Sequence, residues 1–152
     1  MIMAYGTSST KRIIWTEPNG QVAVLYPVLP VEDCVKDVPD GLSYYIVEDS
    51  EIPKQTFFER AWKIVDGKIE MDITKAKEVH RENIRDARQV KLAELDIEFQ
   101  RALETSADTS AIIAKKQALR DAPADSAIDA ATDEAELIAA WNTAILGTSP
   151  YN

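Results

Sequence analysis

The two residue types best suited to chemistry, histidine and cysteine, occur once each in the 152-residue chain, as His80 and Cys34. His80 is followed two positions later by Glu82, which matches the His-x-Glu half of a zinc-deaminase signature. That chemistry also requires a Pro-Cys-x-x-Cys partner, and Cys34 has no second cysteine. Because three zinc ligands cannot be assembled, we predict no metal site and interpret His80 as a polar residue on a helix face.

A nucleophilic pair of Cys34 and His80 is the other catalytic hypothesis. Such a pair needs an orienting third group and an oxyanion hole, and no glycine-rich or strand-to-turn motif surrounds Cys34. With five glycines, the chain also offers no common type of phosphate-binding loop. We therefore predict no catalytic residue, no cofactor and no small-molecule substrate, and we interpret Cys34 as a small, semi-buried hydrophobe.

The charge of the chain argues against two classes of partner. The net charge of −9 opposes binding to nucleic acid and to anionic lipid, and no apolar stretch is long enough to span a bilayer. Residues 121–152 contain no Lys or Arg but several carboxylates. This acidic segment is either a solvated helical surface or a docking surface for a basic partner.

The first half of the chain is rich in β-branched and aromatic residues and in turn signals. Asn19-Gly20 and Asp66-Gly67 each separate two apolar runs, and both residues of such a pair tolerate positive φ, which predicts β-hairpins. The predicted strands are residues 12–15 with 21–26, a third strand at 43–48, and 61–65 with 68–72. Since so small a sheet cannot bury both faces alone, we expect one face to cover a helix or a partner.

The second half has the composition of helices. Residues 73–104 contain neither Pro nor Gly, which predicts one helix about 48 Å long at ~1.5 Å per residue. Shorter helices are predicted at about 111–121 and 133–146, with a linker at 124–131. The chain is therefore predicted to be α+β, with a β-rich domain over 1–72 and a helical region over 73–152.

The long helix carries a candidate contact seam. Apolar residues recur at spacings of three and four at Leu92, Leu95, Phe99 and Ala102, as in about one and a half heptads of a coiled coil. So long a helix is stable mainly through packing of that face, on the rest of the chain or on another chain. We predict protein–protein contacts through the first three of these residues.

A basic stripe and an acidic segment offer two further hypotheses. Lys77, Arg81, Arg85 and Arg88 follow one another at helical spacing beside acidic residues, which favours local neutralisation; the alternative is a socket for an acidic partner. Residues 119–141 are predicted to form a docking element anchored by Trp141, since Trp is a frequent interface anchor. The alternative is that Trp141 packs the last helix onto the chain's own core.

Three blocks of the sequence resemble small proteins of bacteriophage tail regions. The blocks run from Val38-Pro39-Asp40-Gly41 to Trp62, from Ala76 to Phe99, and from Lys116 to Pro123. The last block is similar to the Leu-Arg-Asp-x-Pro ending of tail-fibre assembly chaperones, in which a Trp follows near the C-terminus, a place that Trp141 fills. The long helix and the hairpin with Trp15 depart from the short chaperone pattern.

The resemblance implies a non-enzymatic structural or assembly protein of the phage tail. It implies binding to other virion proteins of the tail, baseplate or fibre attachment, or to further copies of the chain as a homo-oligomer. The expected location is the tail region of the virion and, during assembly, the host cytoplasm. One alternative is a transient tail-fibre chaperone absent from the mature virion; another is a small enzyme whose site is unrecognised.

Overall fold

The computed structural model describes residues 9–152, so residues 1–8 of the predicted first domain lie outside the described part. The chain divides into two compact units between Asp72 and Ile73. The first unit contains two small antiparallel sheets, and the second contains one long helix and several short ones. The predicted α+β fold class is confirmed.

The strands of the first unit match the predicted ones to within one residue at each end. They are β1 Lys11–Thr16, β2 Val22–Leu25, β3 Tyr44–Glu48, β4 Trp62–Val65 and β5 Lys68–Met71, with a short helix α1 at Val31–Cys34. One sheet has the order β2-β1-β3, and β4 and β5 form a separate hairpin. In the register of the larger sheet, Ile14 on β1 lies between Val24 on β2 and Tyr45 on β3.

The two hairpins turn in different ways. Asp66 and Gly67 both have positive φ, 49° and 76°, as a two-residue hairpin turn requires. In the first hairpin only Gly20 takes positive φ, at 83°. Its N–H donates to Glu17 O, and Glu17 N–H donates to Gln21 O, both at 2.8 Å. The loop is therefore three residues long, because Pro18 favours the start of a type I turn that Gly20 then closes.

Both faces of the three-stranded sheet are covered from within the first unit. On one face, Ile13 and Trp15 pack against Val31, Val38 and a buried Cys34. On the other face, Ile14 and Val47 pack against Ile52 and Trp62. Since β1 contributes to both clusters through alternate residues, the central strand is buried on both sides. The helix that was expected to pack on one face of the sheet is α1, and the β4–β5 hairpin covers the opposite face.

In the second unit, the long helix has the predicted bounds. It is α2, Ile73–Glu104, and is followed by α3 Ser110–Asp121, α4 Ser126–Ala130, α5 Glu134–Ala139 and α6 Thr143–Leu146. α2 runs beside α3, and the shorter helices return to it. Its buried side chains are those of Ala76, Val79, His80, Ile84 and Leu95.

Two predictions about the C-terminal segment are wrong. The predicted linker over 124–131 contains α4, which begins where the Asp125 carboxylate accepts the Ala127 N–H and which buries Ile128 completely. The predicted helix over 133–146 is two helices. It is interrupted because the Asn142 side chain accepts the N–H groups of Ala144 and Ile145 and so starts α6 as an N-cap.

Candidate protein-interaction site

His80 lies in the core of the second unit, which corrects its interpretation as a polar residue on a helix face. Its side chain is fully buried, and its Nδ1 atom lies 2.7 Å from the Tyr151 hydroxyl. The two rings stack with centroids 5.5 Å apart, and the Asn83 amide donates to the same hydroxyl at 3.1 Å. Trp141 meets the His80 ring edge-on at 6.0 Å.

The electrostatics of this cluster keep it neutral near pH 7. Burial, with a smaller contribution from the positive charge of Arg81, lowers the pKa of His80 to about 4. Burial also raises the pKa of Tyr151 above its ordinary value. A neutral imidazole and a neutral phenol joined by a hydrogen bond form a packing contact, and they hold the segment after α6 against α2.

The remaining candidates for chemistry are not assembled into a site. The thiol of Cys34 is buried in the sheet core of the first unit. Among residues 9–152, no group of three or more His, Cys, Asp or Glu side chains is placed to hold a metal ion.

Trp141 is part of the same aromatic cluster. It is 7% exposed, its Nε1–H donates to Gly147 O at 3.1 Å, and its ring meets Tyr151 edge-on at 5.9 Å. The structure therefore places Trp141 in the core of its own unit, as the alternative interpretation holds. The side chain exposes too little surface to anchor a partner, which corrects its choice as a docking residue.

The basic stripe of α2 holds the acidic segment of the same chain. Lys77 donates to Asp129 O at 2.7 Å, and Arg88 donates to Arg120 O at 2.9 Å. Arg81 donates to Pro123 O at 3.2 Å and forms an ion pair with the Asp129 carboxylate. These carbonyls lie near the C-terminal ends of short helices, where backbone acceptors lack helical partners and cations are stabilising.

The fourth member of the stripe is neutralised locally. Arg85 binds Glu78 at 2.7 Å and thereby lowers the pKa of that carboxyl. Local neutralisation thus holds for Arg85. Arg81 lies 3.9 Å from the same Glu78 carboxylate and also acts between helices, as Lys77 and Arg88 do. The acidic segment contains no cation of its own, and at Asp129 it is neutralised by the basic stripe of α2.

An open groove lies where α2, α3 and α6 meet. It has a volume of about 390 Å³. Its apolar lining includes Leu95 from α2, Leu119 from α3 and Ile145 from α6. Its charged lining residues are Lys91, Glu94 and Glu98 on α2 and Lys115 on α3. An apolar floor with a charged rim is the arrangement that protein-binding sites use.

The predicted seam is largely covered by α3 of the same chain. Leu95 is buried but reaches the groove, whereas Leu92 and Phe99 are half-buried. The Lys116 ammonium lies 5.2 Å from the centre of the Phe99 ring and also pairs with Asp96. Of the four residues predicted to bind a partner, Leu95 is therefore the one that lines this groove.

Sequence reasoning missed the wall that α6 adds to this groove. Ala144 and Ile145 face the groove because Asn142 ends the preceding turn and starts a new helix. The asparagine is the signal that could have revealed the break, since Asn is among the preferred N-cap residues.

No helix in the described part of the chain is both long enough and apolar enough to cross a membrane. No protein-family model matches the chain, and no significant similarity to a curated protein or a solved structure is found.

Proposed function

We propose that the chain is a non-enzymatic protein of the bacteriophage tail that binds other virion proteins through the groove between α2, α3 and α6. The observation that carries the proposal is the combination of an apolar floor and charged groups with no ion-pair partner. Within residues 9–152, Glu98 on one wall and Lys115 on the other form no ion pair. A partner that fills the groove can bury apolar surface and supply both counter-charges.

The energetics of such a contact favour a small number of anchoring side chains. A groove of about 390 Å³ accommodates one or two large apolar side chains of a partner. Fully burying one such side chain contributes about 1.5–3 kcal/mol, whereas exposed rim charges mainly govern orientation and association rate. The proposed site is therefore an anchor pocket with an orienting rim.

The sequence resemblance supports the assignment to a phage tail. Leu119, the first residue of the Leu-Arg-Asp-x-Pro block, lines the groove floor. The rest of the block forms the end of α3 and the following turn, where Arg88 and Arg81 bind the carbonyls of Arg120 and Pro123. The block that resembles tail-fibre chaperones thus contributes directly to the proposed binding surface.

A substitution in the groove wall tests the proposal. Ala144 is exposed and lines the groove, so Ala144→Arg blocks the site without opening a cavity. Ala114→Arg, on an exposed position of α3 outside the groove, is the matched control. Chemical cross-linking and mass spectrometry in phage-infected cells should recover a tail protein with the wild type and with the control, and not with Ala144→Arg. Recovery of no phage protein with the wild type would overturn the proposal.

A transient tail-fibre chaperone, which is the alternative function, would bind its partner through the same groove. Quantitative mass spectrometry of purified particles separates the two functions. A tail component is present at a fixed ratio to other tail proteins, whereas a chaperone is missing from particles but bound to fibre protein in the infected cell.

A further inference from the structure

The outer edge of β2 borders a second groove, in the first unit. β2 is the edge strand of the three-stranded sheet, and the segment over residues 52–60 forms the opposite wall. Two cavities of about 290 and 330 Å³ share Tyr26, Ile52 and Thr56 as lining residues. The two cavities adjoin at these residues, so the groove follows β2 and continues past its end at Tyr26.

The backbone of β2 offers hydrogen bonds on this side. In an antiparallel ladder, alternate residues direct their N–H and C=O groups to the neighbouring strand and the others direct theirs away from it. The hydrogen bond from Glu17 N–H to Gln21 O sets this alternation, so that the N–H and C=O groups of Ala23 and Leu25 point to β1. Val22 and Val24 therefore present their N–H and C=O groups outward, and β2 pairs with no other strand in the described chain.

The side chains beside this edge repeat at the spacing of a strand. Val22 and Val24 are half-buried on one face of the sheet and pack with Ile52 and Trp62 at the bottom of the groove. Side chains two residues apart along a strand point to the same face. An extended segment laid beside β2 would therefore place every second side chain on this apolar floor.

Each end of the groove has one charged side chain available to a ligand, and the two have opposite sign. Lys54 and Asp49 line the cavity beside Tyr26, where Asp49 pairs with Arg12. Glu59 and Arg60 line the cavity that extends to Gln21, and Arg60 has an interaction of its own within the chain. Lys54 and Glu59 are exposed, and neither forms an ion pair with another described residue. Because antiparallel pairing is the more stable arrangement, an added strand runs from the Lys54 end to the Glu59 end.

We propose that the β2 groove binds an extended segment of a partner protein by strand addition, antiparallel to β2. The segment carries apolar side chains at alternate positions, an acidic residue at its N-terminal end and a basic residue at its C-terminal end. Strand addition of this kind takes affinity from backbone hydrogen bonds and specificity from alternate side chains. The site is separate from the helical groove and goes beyond the proposed function.

The probe is an acetylated, amidated peptide, Glu-Val-Thr-Val-Thr-Val-Lys, titrated into the ¹⁵N-labelled full chain. We expect saturable shifts of the Val22 and Val24 amides and slower hydrogen exchange of both. N-methylation of the two peptide valines that pair with Val22 and Val24 should weaken binding by at least ~tenfold, because it removes two backbone hydrogen bonds. N-methylation of the threonines, whose N–H groups point away from β2, should leave the affinity within about twofold.

Charge variants test the orientation of the peptide. Lys54→Glu should lower its affinity about three- to fivefold, as expected for an exposed ion pair, and a peptide with Lys in place of its N-terminal Glu should recover it. Lys63→Glu on β4, an exposed site outside the groove, should have no effect. Absence of saturable shifts at Val22 and Val24, or equal effects of the two N-methylations, would overturn the inference. The Ala144→Arg variant should bind the peptide normally, so a failure of the β2 groove proposal can be distinguished from a failure of the helical groove proposal.

Discussion

The Nδ1 atom of His80 lies 2.7 Å from the hydroxyl oxygen of Tyr151, although 71 positions separate the two residues in the chain. This contact joins the middle of α2 to the segment that follows α6. Trp141 packs edge-on against both rings, and its Nε1–H donates to the carbonyl of Gly147, so the turn between Trp141 and Gly147 is also fixed. The segment that contributes one wall of the helical groove is therefore held by a neutral, buried cluster.

The stability of the second unit should decrease as the pH falls from 6.5 towards 4. The pKa of His80 is about 4 in the folded chain and 6.5 in the unfolded chain, so the unfolded state binds more protons between these values. The free energy of unfolding should therefore fall by at most about 1.4 kcal/mol per pH unit from this group. Urea unfolding at several pH values measures the slope.

A variant without the imidazole is the control for this slope. His80→Gln retains a polar side chain but does not titrate, and the chain contains no other histidine. Its stability should be lower at pH 7, and its change between pH 6.5 and 5 should be smaller than that of the wild type. Equal slopes in the two proteins would show that His80 does not titrate with a lowered pKa.

Removal of the Tyr151 hydroxyl should destabilise the chain moderately. Tyr151→Phe keeps the ring stacked on His80 but leaves the imidazole and the Asn83 amide without this partner, which should cost about 1–3 kcal/mol. Tyr44→Phe, at an exposed position of β3, should change stability by less than about 0.5 kcal/mol. Urea unfolding of both variants is the measurement. A loss no larger for Tyr151→Phe than for Tyr44→Phe would contradict the role given to the hydroxyl.

The elements that the sequence predicted correctly are those with local causes. Turn residues such as Asp66-Gly67 fix the hairpins, and the absence of Pro and Gly between Ile73 and Glu104 fixes the long helix. The C-terminal segment was predicted less well because its helices are only four to six residues long. They are set by caps at Asp125, Asp133 and Asn142 rather than by a long apolar period.

The candidate site was predicted only in part for a related reason. Leu95 follows from the spacing of three and four on α2, but its neighbours in the groove come from helices that fold back on it. The burial of His80 had a local signal, since it lies four residues after Ala76 and four before Ile84, on the apolar face of the helix. Its pairing with Tyr151 depends on tertiary structure, which no spacing reveals.

Truncation of Leu95 should destabilise the second unit. Leu95 is 8% exposed and lies beside Leu119 at the α2–α3 contact, so Leu95→Ala should cost about 2–5 kcal/mol. Val90→Ala is the matched control, because Val90 lies on the same helix and is 63% exposed, and it should cost less than about 0.5 kcal/mol. Thermal or urea unfolding distinguishes the two. Similar small losses would show that α3 does not cover this part of α2.

The cap of α6 should control the helical groove without affecting the β2 groove. Asn142→Ala removes the acceptor of the Ala144 and Ile145 N–H groups and should cost about 0.5–2 kcal/mol. Asn142→Asp is the matched control, since Asp caps helices as well as Asn. Because the cap fixes the first turn of α6, the Ala variant should show faster hydrogen exchange at Leu146 and Gly147, whose N–H groups bond within this turn. This turn forms one wall of the groove.

The same two variants connect this cap to binding. Asn142→Ala should weaken cross-linking to the tail protein in infected cells, whereas Asn142→Asp should retain it, because only the first loosens the wall that carries Ile145. Binding of the extended peptide at Val22 and Val24 should be the same in both, since β2 belongs to the other unit. If Asn142→Ala leaves exchange at Leu146 and cross-linking unchanged, α6 is held by packing alone and its cap has no part in forming the groove.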